Sequence, residues 1–139
     1  MFFRRMIVAS FFVCMTAIGS PVRVIDGDTF IAVVEVRSPS VWLNGTVLSA
    51  TFLDRIRVLH VNSPEMKGDT LAKGIEARNF TVAWLGCTDA FSCKNAKFVT
   101  LCSDKYDSFG RVLSTVKRDD GHDLADDLIA SGNGVVYNP

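Results

Sequence analysis

Asp28, Arg57, Glu65 and Arg111 are charged side chains set beside apolar, strand-like runs. Their types suit one chemistry. Carboxylates supply most of the oxygen ligands of a hard divalent cation. Guanidinium groups match phosphate with two parallel hydrogen bonds. Two acids, two arginines and the nearby Asn62 could together form a phosphodiesterase site. Each residue also has a plain structural explanation. Asp26-Gly27-Asp28, inside the stretch VIDGDTF, has the composition of a tight turn. Arg57 could face solvent from a strand, and Gly110-Arg111 could close a loop. Spacing alone leaves both explanations open.

The elements that would position these residues follow from the hydrophobic pattern. Residues 22–25 read as a strand, and residues 29–36, rich in β-branched side chains, as a second. Asn44-Gly45 is a hairpin signal between the apolar triplets 41–43 and 46–48. Residues 52–61 read as a long strand ended by Pro64. Leu71, Ile75, Ala77, Phe80 and Trp84 recur at helical spacing, which predicts an amphipathic helix over 70–85. Strands are expected at 98–102 and 112–116, with a polar loop at 104–110 between them. Leu124, Leu128 and Ile129 mark a second helix, with Asp123 at its start and Gly132 at its end, and residues 135–137 form a last short strand. This strand-rich order suits a small closed or partly open barrel, of which the OB-fold is one type.

The chain begins with a segment of different character. Arg4 and Arg5 precede an apolar run over 6–18, and Ala17-Ile18-Gly19 follows with small residues. That pattern predicts a signal peptide over 1–19 and a domain over 20–139, exported to the periplasm or beyond, with a buried N-terminal strand or helix as the alternative. The run is too short for a permanent span, which takes roughly 20 apolar residues, so no membrane anchor is expected. Loss of Arg4 and Arg5 leaves 13 basic against 15 acidic residues, a net charge of −2. A protein that coats nucleic acid non-specifically is clearly basic, so any contact here is local or transient. Cys87, Cys93 and Cys102 remain; Cys87 and Cys93 bracket a short polar loop and are the preferred pair, leaving one thiol over, although three pairings are possible. Neither His60 nor His122 has zinc-like spacing to these cysteines.

The stretches VIDGDTF (24–30), RVLHVNSPE (57–65), GIEARNFTVAWL (74–85), DSFGRVLSTV (107–116) and GHDLADDLIASG (121–132) together resemble, in order and character, the staphylococcal nuclease-like (thermonuclease) family. The resemblance covers nearly all of the chain after residue 19. It implies a mainly β protein with helices: a five-stranded OB-fold barrel with two packed α-helices. It also implies a calcium-dependent nuclease that hydrolyses DNA and RNA on the 5′ side of the phosphate and leaves 3′-phosphate ends. Carried over by position, Asp28 and the backbone carbonyl of Ser63 hold the metal, Arg57 and Arg111 bind phosphate, and Glu65 is the catalytic carboxylate. Phe109 stands where the family usually has a tyrosine near the phosphate, so that hydroxyl contact is lost. A monomer is expected.

Three features depart from the family. Asn62 replaces a second metal-binding aspartate, which removes one negative charge and weakens calcium binding. The hairpin at Asn44-Gly45 is longer. The sequence ends at Pro139, where the family continues into another helix, and Asn133-Gly134 stands where apolar residues are expected; a Cys87–Cys93 disulfide would offset part of that loss by ~2 kcal/mol. The rival function is a non-catalytic barrel that binds nucleic acid or protein with its metal site lost through Asn62. His60 is expected to pack or lie at an edge, and His122 and the acids from Asp119 to Asp127 to be solvated. Trp42, Trp84 and Phe80 are expected in the core, although Trp42 on the hairpin could touch nucleic acid.

Overall fold

The computed structural model describes residues 14–38 and 48–138. Most of the expected leader, the Asn44-Gly45 hairpin, Trp42 and Pro139 lie outside the described residues. Seven strands, β1 (Met15–Asp26), β2 (Thr29–Ser38), β3 (Leu48–Val58), β4 (Val61–Asn62), β5 (Val99–Tyr106), β6 (Val112–Lys117) and β7 (Val135–Val136), alternate with helices α1 (Leu71–Leu85) and α2 (Leu124–Ala130). Five strands close a barrel in the order β1-β2-β3-β6-β5. All its pairings are antiparallel except that of β3 with β6. The molecule is therefore mainly β, an OB-fold-like barrel with two packed helices. No helix among the described residues is long and apolar enough to cross a membrane.

The barrel forms because its strands alternate. In β2, Phe30, Ala32 and Val34 are buried, and in β3 Ile56 and Val58 join them. β6 contributes Val112 and Val116 from the same alternation, with Ser114 between them also buried. Leu85 from α1 and Leu124 and Leu128 from α2 complete the core. Trp84 is buried and Phe80 packs against the core, as expected. The two helices are tied by polar contacts as well: Trp84 Nε1 donates to Asp127 Oδ2 at 2.8 Å, and His122 Nδ1 meets the same oxygen at 2.7 Å. Asp123 caps α2 by accepting from the Asp126 amide. Asp127 is thus part of a helix-to-helix contact, whereas solvated charge was expected there; His122, which meets it, is exposed as expected.

Several boundaries differ from the sequence expectation. β1 starts at Met15, seven residues before the expected Val22, and its residues Met15–Gly19 make the whole seam with β5. A cut near Gly19 would remove that seam together with Cys14, which is disulfide-bonded to Cys102. In the full chain Cys102 is therefore paired; after such a cut it would be the thiol left over. Cys87 and Cys93 form the second disulfide. β5 extends to Tyr106 because Lys105 and Tyr106 still pair with Leu113 and Val112 beyond a bulge. The expected strand over 52–61 breaks at Leu59-His60. His60 has φ 71°, a left-handed conformation that costs a non-glycine residue roughly 1–3 kcal/mol. That turn redirects the chain into β4, which pairs with β7. α1 begins at Leu71 after a 3₁₀ turn over Gly68–Thr70.

Two glycines let the elements meet closely. A Cβ at Gly27 would lie 2.7 Å from Ser63 Cβ and 2.9 Å from Ala77 Cβ. A Cβ at Gly74 would lie 2.6 Å from the Glu65 carbonyl oxygen. The Gly27 turn therefore lies directly against the side chains of Ser63 and Ala77, and Gly74 of α1 against the Glu65 backbone.

Candidate active site

The topology gathers the charged residues at one end of the barrel. Thr29 pairs with Arg57 across β2 and β3, which brings Asp28 beside Arg57. Parallel pairing sets Arg57 against Leu113, so the start of β6, with Arg111 just before it, lies at the same end as Arg57. The break at His60 folds Asn62, Ser63 and Glu65 back toward this end. The result is a cleft of about 440 Å³ whose lining includes Asp28, Arg57, Asn62, Ser63, Glu65, Phe109 and Arg111. All seven residues singled out from the sequence as site members are thus in one concavity. Asp26, Asp107, His60 and Tyr137 line it too and were not assigned a role from sequence.

Asp28 is buried and fully engaged. Its Oδ1 accepts from Thr29 Oγ1 at 3.0 Å and its Oδ2 from the Ser63 amide at 2.8 Å. Arg57 Nη2 stands 3.4 Å from Asp28 Oδ2. Arg57 is itself buried, and its Nη1 donates to the carbonyls of Val58 (2.7 Å) and Val61 (2.8 Å). Arg57 Nη2 also donates to Asn62 Oδ1. This guanidinium therefore braces the β3–β4 turn as much as it faces the cleft. Asn62 offers its carbonyl oxygen to an arginine.

Arg111 is held differently. Its Nε donates to Asp107 Oδ2 at 2.6 Å, while Asp107 Oδ1 accepts the amides of Phe109 and Arg111, each at 2.9 Å. Burial pushes the Asp107 carboxyl up, but these hydrogen bonds and the Arg111 charge outweigh it and leave its pKa lowered. No hydrogen bond occupies the Nη atoms of Arg111 among the described residues, so they can still donate to a ligand. Phe109 is 82% exposed, with the Arg111 guanidinium 5.3 Å from its ring centre. Glu65 is exposed, and its one ion pair among the described residues is with Lys67, at 3.4 Å. The signal for Asp107 was present in DSFGR, where an aspartate two to four residues before amides that turn back is a familiar loop device.

Among the described residues no three His, Cys, Asp or Glu side chains cluster as metal ligands. Oxygen atoms do gather on one wall of the cleft beside Asp28. Ser63 Oγ is buried with no hydrogen-bond partner among the described residues, beside Asp28 and the Gly27 turn. Asp26 and Asp28 bring two carboxylates to the same wall, and the Asp28 amide donates to Asp26 Oδ1 at 3.2 Å. Burial, reinforced by the Asp28 charge, pushes the Asp26 carboxyl up from 3.8 to about 7.

That shift sets a pH dependence. A carboxyl whose folded pKa is raised stabilises the fold below its unfolded pKa and loses that contribution as pH climbs through the folded value. The window here runs from about 4 to about 7. In the absence of divalent ions, Asp26→Asn is expected to stabilise the protein at pH 8 by on the order of 2 kcal/mol, after discounting for partial solvent access. At pH 4 the gain should vanish. Urea unfolding of both proteins at the two pH values measures it, and equal differences at both would refute the assignment.

Compared with known proteins, the chain matches no protein-family model, and no curated protein is significantly similar to it.

Proposed function

We propose that this protein is an exported, calcium-dependent nuclease of the staphylococcal nuclease-like kind, acting on DNA and RNA. One observation carries the proposal: Asp28, Asn62, Ser63, Glu65, Arg57 and Arg111, drawn from four separate stretches of the chain, line a single cleft on an OB-fold-like barrel. The Cys87–Cys93 disulfide, which a cut near Gly19 leaves in place, supports folding in an oxidising compartment.

Asp28, the Ser63 carbonyl and Asn62 would hold the calcium ion, which when bound neutralises the phosphate and orients it. Glu65, exposed at the cleft wall, takes the proton of the attacking water or positions that water. The water oxygen bonds to phosphorus, the bond to the 5′ oxygen breaks, and the 3′ side keeps the phosphate. The Nη groups of Arg111 donate to the equatorial oxygens as charge builds on them, and Arg57 adds a fixed positive charge beside Asp28.

Purified protein is expected to degrade plasmid DNA and total RNA at millimolar calcium, and to stop on addition of a chelator. A second reading is favoured by the Asn62–Arg57 hydrogen bond, which draws the asparagine oxygen away from cation binding. On that reading the barrel binds oligonucleotide and never cuts it. Binding without cleavage at millimolar calcium would select the second reading over the first.

A further inference from the structure

A second depression, of about 370 Å³, is lined by Ile31, Leu53, Asp54, Arg55, Phe109 and Gly110. It adjoins the cleft through Phe109, which lines both. Strand alternation links the two. Arg57, Arg55 and Leu53 are successive same-face residues of β3, opposite Thr29, Ile31 and Val33 of β2. At ~3.3 Å per residue, Arg55 follows Arg57 by about 7 Å along the strand. The surface there is unusual for a free sheet face: Leu53 is 64% exposed and Phe109 82%. Arg55 is exposed and forms no ion pair among the described residues. Asp54 turns its Oδ1 to the Arg55 amide at 2.8 Å.

We propose that this depression is the subsite for the nucleotide next to the scissile phosphate of an unpaired strand, with Arg55 on its phosphate and Phe109 under its base. The proposal rests on the nuclease reading of the cleft. Charge and continuity select the occupant. An exposed aromatic ring beside a free guanidinium, one strand repeat from the Arg57 charge in the cleft, suits a chain that alternates anionic and flat aromatic groups. A duplex keeps its base faces stacked on each other, so only an unpaired strand can lay one on Phe109.

The test uses the full chain carrying Glu65→Gln, with calcium, and a fluorescein-labelled eight-nucleotide oligo(dT), oligo(U) or a DNA hairpin of equal length. Binding is followed by anisotropy from low to high salt. Phe109→Ala is expected to weaken binding of both single strands about tenfold. Arg55→Gln is expected to reduce the slope of log affinity against log salt by about 0.7, the release expected for one phosphate contact on a single strand. The hairpin should bind more weakly than either single strand. Lys94→Gln, on an exposed loop, is the control and should change nothing. Both sites are exposed, so melting curves should confirm that every variant folds. Unchanged affinity and slope in both Phe109→Ala and Arg55→Gln, or an equal loss in Lys94→Gln, overturns the subsite. Cleavage by the wild-type chain is measured alongside. If it cuts while the Phe109 and Arg55 variants keep its KM, the subsite fails and the nuclease stands. If the variants lose binding as expected but the wild type never cuts, the subsite stands and hydrolysis fails.

Discussion

Glu65→Gln is expected to lower kcat by roughly 10²–10⁴-fold, the usual contribution of a positioned general base, while leaving the fold intact. The separation of these two effects comes from where Glu65 sits. Its side chain is 72% exposed, and its ion pair with Lys67 is a surface contact of a kind that contributes little. The structural work at this position falls to the backbone. The Glu65 carbonyl accepts from Thr70 Oγ1 at 2.8 Å and lies against Gly74, so the start of α1 is fixed whatever the side chain. Glutamine keeps the shape and removes only the proton-accepting charge, so stability should change by less than about 0.5 kcal/mol. Single-turnover cleavage of a short DNA at saturating calcium isolates the chemical step from product release. A rate within threefold of wild type would show that Glu65 does not handle the proton. Asp26, the other carboxylate on that wall without an arginine partner, would then be the residue to replace.

What the sequence revealed and what it hid divide along physical lines. The barrel was legible where local chemistry dictated the outcome: β-branched alternation in β2, helical spacing in α1, the Asp123 cap of α2. The site residues were legible because their types are costly beside apolar strands, and Asp28 and Arg57 are in fact buried there. The start of β1 was hidden because residues 15–19 are mostly apolar, which is equally the mark of a leader and of a strand closing a barrel. The partner of Cys102 was hidden for a related reason: Cys14 lies 88 residues away and meets it only once the barrel closes. The extension of β5 was masked by Asp104 and Lys105, polar residues that a bulged hairpin accommodates. The break at His60 could not be read, because a histidine gives no sign that its backbone is left-handed. The fixing of Arg57 by two carbonyls was equally invisible. Those acceptors belong to the backbone, and side-chain types do not record where backbone oxygens point.

Arg57 consequently carries the second large effect, and it is one of stability as well as rate. Arg57→Met is expected to destabilise the protein by roughly 3–5 kcal/mol, the cost of leaving a buried charge without its partner. Four groups lose by it: the Val58 and Val61 carbonyls and the Asn62 oxygen are left without their donor, and the Asp28 carboxylate, at 7% exposure, is left without its cation. Arg57→Lys should recover little, because one ammonium cannot span acceptors that now take hydrogen bonds from both Nη1 and Nη2. Arg111→Lys provides the contrast. Arg111 pairs with one loop carboxylate, so its loss should lower activity by about 10²-fold with a far smaller effect on unfolding. The decisive comparison is Asp28→Asn combined with Arg57→Met. If the buried charge of Asp28 is what makes the single arginine change so costly, neutralising it should return at least about 1 kcal/mol, and the double variant should be more stable than the sum of the singles. Urea unfolding in the absence of calcium measures this without interference from the ion. Strict additivity would mean that the two residues do not compensate each other. The guanidinium would then act through the turn carbonyls alone, and the cleft would have no preformed charge pair to receive a phosphate.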